Sequence, residues 1–265
     1  MSKLIGVSDT LYIPLTARIY ISKRYPEYFY DEVALSLQDQ IPSNSISKGS
    51  NQYSMLASVA RYYNFDKVIK DFIERKKKCN IVNLGCGLET ACSRINDDRA
   101  YFYEIDLFEV IENRKRVLKT SSNEKLISAD IFKNDWMKQV DKSVPTLFVV
   151  SGVFQYFHEE DVLGLIEKIK NNFDDCEMIF DAMSKSGLIY ANRYVKKTGN
   201  DSALMYFYVD NSNDFAKLSN TTLIQELKFF KDARRILKGK LNLFSIIATW
   251  MVDKGQGRIL HLKIK

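Results

Sequence analysis

Proline and glycine are scarce, 4 and 11 among 265 residues, which excludes collagen-like, mucin-like and linker-rich designs. Cysteine occurs four times, at 79, 86, 92 and 176, and never as a C-x-x-C pair. A zinc site and a disulfide framework are therefore set aside at this length, and no metal is expected. Reduced cysteines point to the cytoplasm. Histidine occurs only at 158 and 261, so any His-based relay would have to draw on those two. No apolar run approaches the ~20 residues of a membrane helix. The best, Leu241 to Val252, is 12 long and interrupted by Asn242, Ser245 and Thr249. Met1 to Leu15 holds one lysine and one aspartate, with no small-residue cleavage site after an apolar core, so no secretory signal is expected there.

What remains is ordinary for a globular protein with a sizeable core: 46% hydrophobic, 27% charged and 12% aromatic residues. The net charge of +6 is scattered. Its densest cluster, Arg75 to Lys78, ends an expected helix, where cations suit the macrodipole. A solvated helix end is favoured there over a phosphate-binding patch, and neither nucleic acid nor membrane is expected as a partner.

The first 80 residues read as helical. Asp9 can cap a segment through Tyr20, and Asp31 a short one from Glu32 to Leu37. A Pro/Ser/Asn-rich loop from Ile41 to Asn51 precedes a longer helix, Gln52 to Lys77, with Asp66 a candidate N-cap for a break within it. From Asn80 short apolar runs alternate with helical stretches. Strands are expected at 81–84, 100–105, 125–129, 146–150 and 177–180, and helices at 89–95, 108–118 and 159–171. Such alternation predicts a mostly parallel sheet with helices on both faces. The tail adds a helix at 188–197, a strand at 222–230, a helix at 232–237 and a last strand at 258–264. One structural domain is expected, with residues 1–78 a helical extension or lid and 79–265 the core.

The sharpest local pattern is Ile81-Val82-Asn83-Leu84-Gly85-Cys86-Gly87, a strand running into a G-x-G turn before a helix. Glycine there permits positive φ and lets a ligand approach the backbone. Neither the full dinucleotide fingerprint nor the P-loop is met. About twenty residues on, Asp106 closes the second strand, placed either to accept from ribose hydroxyls or to cap the next helix. Asp130 closes the third strand. The glycine turn and both carboxylates fall on one rim of a parallel sheet, where ligands bind.

Val82-Asn83-Leu84-Gly85-Cys86-Gly87-Leu88-Glu89-Thr90, Tyr103-Glu104-Ile105-Asp106-Leu107, Ala129-Asp130-Ile131, Asp135-Trp136 and Gly152-Val153-Phe154-Gln155-Tyr156-Phe157 together resemble the leucine carboxyl methyltransferase family. The likeness runs through most of residues 10 to 182 and leans toward the branch of bacterial polyketide O-methyltransferases. It implies a Rossmann-like class I methyltransferase fold with a seven-stranded sheet, and S-adenosylmethionine as cofactor. By the same resemblance Gly85 and Gly87 pass under the methionine part of the cofactor and Asp106 holds the ribose. Asp130 and Ile131 bind and sandwich the adenine, and Arg61 holds the cofactor carboxylate. An exposed helix arginine is the other reading of Arg61. A further cation near the N-terminal helix is Arg18 or Lys23. One departure stands out: Ser151 occupies the place where many members carry glutamate before a glycine. A hydroxyl there fits the small-molecule branch better than the protein-modifying one.

Methyl transfer from a sulfonium is an in-line displacement, in which the protein aligns donor and acceptor and excludes water. Tyr156, after the fourth strand, could orient an acceptor oxygen; it could also be purely structural. His158 suits a helix cap better than a base. An acceptor pocket is expected from the N-terminal helices and from Asp181 to Phe215, which carries Met183, Tyr190, Asn192, Arg193, Tyr194, Met205, Tyr206, Phe207 and Tyr208. The reading is O-methylation of a small polyketide-like, phenolic or carboxylate acceptor. The alternatives are a protein C-terminal carboxylate as acceptor and a non-catalytic cofactor-binding protein.

Overall fold

The computed structural model describes residues 5–40, 51–197 and 204–265. Seven strands form its sheet: β1 (Cys79–Leu84), β2 (Ala100–Asp106), β3 (Glu124–Ser128), β4 (Thr146–Val150), β5 (Cys176–Met183), β6 (Thr222–Leu227) and β7 (Gly257–Lys263). Their spatial order is β3-β2-β1-β4-β5-β7-β6, and β7 alone runs antiparallel to its neighbours. Every residue of β1 and β4 is buried, as the centre of a parallel sheet requires; β4 is an apolar run, while β1 also buries Asn80 and Asn83, whose amides donate to the Asp141 carbonyl and to Glu104. β1 lies between β2 and β4, so the chain winds outward in both directions from it. The crevice at that switch point opens at the C-terminal ends of the strands.

Alternation along β1 distributes side chains to two layers. Ile81 packs with Phe65, Phe72 and Ile73 of α3 (Gln52–Lys76), while Val82 and Leu84 pack on the other face with Val162, Leu165, Ile166 and Ile169 of α6 (Glu159–Asn172). Those four α6 residues recur at helical spacing, and each buried aliphatic side chain contributes about 1.5–3 kcal/mol. Before the sheet stand α1 (Ile5–Arg24) and α2 (Glu32–Ser36), the latter capped as expected by Asp31, whose carboxylate accepts from the Ala34 amide at 2.8 Å. Ala17, Ile21 and Tyr25 form a satellite core with Leu56 and Val59 of α3.

Several expectations need correction. The long helix does not break near Asp66; instead of capping, that carboxylate accepts from Arg94 Nε and Nη2, at 2.9 and 2.8 Å. The first helix extends from residue 5 to 24 and runs through Pro14. β6 stops at Leu227, and β5 is longer than its apolar run. Two helices were not foreseen, α8 (Ser212–Leu218) and α10 (Leu243–Met251). The others are α4 (Ala91–Ile95), α5 (Phe108–Val117), α7 (Lys185–Lys197) and α9 (Lys231–Ile236). The expected loop at 41–51 lies outside the described residues apart from Asn51, which caps α3, and so do the side chains of Asp9, Leu11 and Tyr194.

Candidate active site

The turn after β1 adopts the left-handed conformation twice, with φ +70° at Gly85 and +52° at Gly87. Its amides are already committed. Gly85 and Cys86 donate to the Ile105 carbonyl at 2.8 and 3.1 Å, and Gly87 donates to Asp106 Oδ2 at 2.8 Å. The turn thus offers a ligand close backbone rather than these three N–H groups. A side chain at Gly85 would meet Val153 Cγ2 at 2.5 Å, so glycine is required there twice over.

Asp106 does not cap the next helix: α5 is entered through Leu107, with no side-chain cap hydrogen bond. The second oxygen of Asp106 accepts from the Leu107 amide at 2.8 Å, leaving each carboxylate oxygen with capacity to spare. Burial pushes its carboxyl above the ordinary aspartate value, opposed by the Gly87 and Leu107 amides and by Arg114. Glu104, two residues earlier on the same side of β2, is fully buried. Burial, with Glu124 and Glu89 nearby, lifts it to about 8, against Arg114 and Asn83. Glu104 is therefore protonated at neutral pH and sits beneath the site, where the Asn83 amide donates to it at 2.8 Å. Asp130 turns its own loop by accepting from the Phe132 amide at 2.9 Å. Ile131 is buried in the core, and its carbonyl accepts from the Trp136 indole at 3.0 Å.

At the ends of β4 and β5 the chain builds a second cluster. Asp181 Oδ1 accepts from the Gly152 amide at 2.6 Å, and Asp181 Oδ2 pairs with Arg61 at 3.5 Å. Gly152, at φ +68°, lies against Arg61: a Cβ there would come within 2.6 Å of Arg61 Nη1 and push the guanidinium aside. Burial alone would weaken the Arg61 charge; Asp181, Tyr62 and Tyr156 outweigh it and hold the guanidinium protonated. Three polar atoms here are buried without a partner: Arg61 Nε, Ser151 Oγ, and Ser58 Oγ one helical turn before Arg61. Buried polar groups are rarely left unpaired, so these three atoms have hydrogen-bonding capacity that the chain itself does not use. Asp181 and Ser58 were passed over in the sequence, yet both obey rules applied elsewhere. Asp181 is a carboxylate at a strand's rim end, and Ser58 shares a helix face with Arg61.

Neither N-terminal cation reaches this cluster. Arg18, almost wholly buried, donates to Asp31 at 2.8 Å, to Thr90 Oγ1 at 2.6 Å and to the Leu88 carbonyl at 2.6 Å. Lys23 is exposed and bonds Gln38. Arg18 thereby ties α1 to the far side of the glycine turn. Arg94, Glu89, Asp66 and Asp31 complete a buried charge network around it. Three of the four cations of the Arg75–Lys78 cluster are likewise spent on partners, Arg75 on Glu177 and Asp71, Lys76 on Asp175, and Lys77 on Glu74.

The profile of the leucine carboxyl methyltransferases matches residues 14–170, more than half of the chain. The chain belongs to the leucine carboxyl methyltransferase family. Like that family it is an S-adenosylmethionine-dependent methyltransferase. It is 24% identical over 200 residues to the tetracenomycin polyketide synthesis O-methyltransferase TcmP of Streptomyces glaucescens, covering 74% of each chain. It is 25% identical over 203 residues to the S-adenosyl-L-methionine-dependent methyltransferase dpfgK of Gibberella zeae, covering 68% of this chain and 67% of that one. Among solved structures, a candidate methyltransferase of Thermobifida fusca superposes with TM-score 0.60 at 11% identity, covering 99% of both chains. Human N-acetylserotonin methyltransferase, solved with its methyl donor, gives 0.50 at 8% identity, covering 94% of this chain and 71% of that one. At those identities the likeness is one of fold: the seven-stranded class I methyltransferase sheet with N-terminal helices added. The residues present suit the family's cofactor. Close backbone at Gly85 and Gly87, spare acceptor capacity on Asp106, and unpartnered donors on Arg61 and Ser151 lie along one rim, the donors matching the anionic end of a methionine moiety.

Proposed function

We propose that this methyltransferase methylates an oxygen of a small acceptor, polyketide-like and carrying a phenol or carboxylate. The observation that carries this reading is the acceptor side of the rim. Tyr156 follows β4 and is 40% exposed, near enough to Arg61 to act on its charge. Among the described residues no hydrogen bond joins either histidine to Tyr156. His261 is buried against Glu177 at 2.8 Å, and four residues of β5, about 13 Å, separate Glu177 from Asp181 at the rim. His158 is exposed and packs on Tyr206 with ring centroids 4.5 Å apart and the planes tilted by 38°. A site so equipped favours an acceptor that is already ionised or nearly so; an aliphatic alcohol would need a true base. The bound cofactor supplies an electrophilic methyl group. The chain's share is to hold the donor with Arg61, Ser151, Asp106 and Asp130, to orient the acceptor oxygen with the Tyr156 hydroxyl, and to exclude water.

The relative that serves tetracenomycin polyketide synthesis supports a polyketide-like acceptor. Serine rather than glutamate at 151 disfavours the protein-carboxylate reading. Of the residues expected to line the pocket, Phe207 belongs to the core, whereas Tyr190 and Tyr206 are exposed. Residues 1–78 act in this reading as a cap, with Arg18 joining α1 to Leu88 and Thr90 beside the cofactor turn. Four unpaired, buried cysteines suit a reducing cytoplasm.

The test is methyl transfer from labelled cofactor to matched acceptors carrying a phenol, a carboxylate, an aliphatic alcohol or an amine, with a peptide ending in a free leucine as a fifth. Transfer is expected to the first two, with kcat lowered at least tenfold in Tyr156→Phe. Transfer confined to the amine or to the peptide would overturn the proposal.

A further inference from the structure

The apolar run that is too short to span a bilayer, Leu241 to Val252, folds as an inside-out helix. On α10 the polar Ser245 and Thr249 are fully buried. Leu243, Ile246, Ile247, Trp250 and Met251, spaced as a single helical stripe, are 37–72% exposed. Phe244, 60% exposed, widens the stripe and meets Tyr53 edge-on at 6.1 Å. A helix facing water presents the opposite pattern. A contiguous exposed patch of large apolar side chains marks a surface that something else covers.

The charge around the stripe says what. Residues 228–254 carry seven lysines and arginines against two aspartates, which is most of the chain's excess of +6, and 241–252 carry no charge at all. Both aspartates are spent internally, Asp232 on Lys67 and Arg235, and Asp253 on Arg234, while Lys228 and Lys240 pair with Glu226 and Glu27 outside the segment. The cations left to face a partner are chiefly Lys231, Lys238 and Lys254 with the exposed Arg235. Trp250 lies between Arg234 and Lys254, each 5.4 Å from its ring. An apolar stripe edged by cations, with a tryptophan where the two meet, matches the headgroup region of an anionic bilayer. A second copy is the poorer occupant, since pairing two such faces would bring two like excesses of charge together.

We propose that α9 and α10 form an interfacial membrane anchor, the α10 stripe entering the acyl boundary of an anionic leaflet and the flanking lysines and arginines resting on its headgroups. The anchor lies next to the reaction rim. The 252–256 turn that follows α10 accepts the Ser184 amide at its Gln256 carbonyl, at 3.0 Å, directly where β5 leads into α7.

The experiment uses the full chain with vesicles of phosphatidylcholine alone, or with about one-third phosphatidylglycerol. Trp250 is a built-in probe, because the only other tryptophan, Trp136, is fully buried. Co-sedimentation with the anionic vesicles at low salt is expected, with a blue shift of tryptophan emission and loss of binding at high salt. Leu243→Ser/Ile247→Ser should abolish the blue shift. Arg235→Glu/Lys238→Glu should weaken co-sedimentation at least tenfold, both variants keeping the wild-type far-UV circular dichroism. Absence of vesicle binding by the wild-type chain would overturn the proposal. So would equal, salt-insensitive binding to both vesicle types. A concentration-dependent dimer that disappears in Leu243→Ser/Ile247→Ser, without vesicle binding, would assign the face to a second copy instead.

Discussion

Replacing Asp106 by asparagine keeps the side chain's size and removes its charge. In the free protein one carboxylate oxygen holds the Gly87 amide and the other the Leu107 amide, each at 2.8 Å. Asparagine has one acceptor oxygen, so its NH2 must face one of those N–H donors. A hydrogen bond to a charged group contributes about 1.5–3 kcal/mol, and part of that loss is offset because burial already disfavours the carboxylate. The net cost is about 1–2 kcal/mol, a fall in Tm of roughly 2–8 °C for a chain of this size. Cofactor binding should suffer more. If the spare lone pairs take the ribose hydroxyls, one bond is lost and the other loses its charge assistance, about 2–3 kcal/mol or roughly 30- to 150-fold in Kd. A pH signature accompanies this. Burial holds the Asp106 carboxyl above its ordinary value, and ribose donors favour the ionised form. Wild-type affinity should therefore rise with pH through the Asp106 titration, with proton release on binding, while Asp106→Asn should lack this dependence. Titration calorimetry with the demethylated cofactor in two buffers of different ionisation heat, beside thermal denaturation, measures both. A lower Tm with affinity within twofold of wild type would refute the ribose role and leave Asp106 as a clamp on the turn; no change in either would refute the hydrogen bonding itself.

Arg18→Lys keeps a charge beside Asp31 but cannot reach all three acceptors. Cofactor affinity should fall severalfold, and amide exchange in residues 12–24 should quicken. In the wild type those residues should gain protection when cofactor is added; equal protection with and without it would reject coupling between α1 and the turn. Away from the site, Glu177 is almost fully buried between Arg75 and His261. Burial would raise its carboxyl, but the hydrogen bonds from His261 and Arg75 prevail and depress it to about 2. A depressed folded-state value means stability that is complete above the ordinary glutamate range, near pH 4.5, and lost as pH falls toward 2, about 3 kcal/mol in all. Glu177→Gln should be less stable at pH 7 by an amount of that order and show a shallower acid limb in urea titrations between pH 4.5 and 2; an unchanged acid limb would show that the pair contributes nothing.

Wherever the physics is local, the chain's order of residues decided the outcome. β1 and β4 were legible because a short, mainly apolar run bounded by turn residues is too brief for a buried helix and fits a strand covered on both faces. The rim followed, since Gly85, Gly87, Asp106 and Asp130 each sit at or within three residues of the end of a strand, and parallel strands end on one side. Asp31 capped its helix because capping reaches only three residues ahead. Partners distant in sequence were decided by packing alone. Arg18 spends its guanidinium on a carbonyl 70 residues away and a hydroxyl 72 away, so a cation that suited the cofactor by type is taken up by the scaffold. Asp66 left its capping role for Arg94, and Glu104 became a neutral acid because burial outweighs its amide partner. The stripe on α10 is the clearest case. Its residues alternate at helical spacing in any conformation, but which side of the helix meets the core depends on Gln52 and Tyr53 of α3, which hold Asn242 and Phe244. A sequence states how apolar a helix is; the direction its apolar side faces is a property of what it packs against.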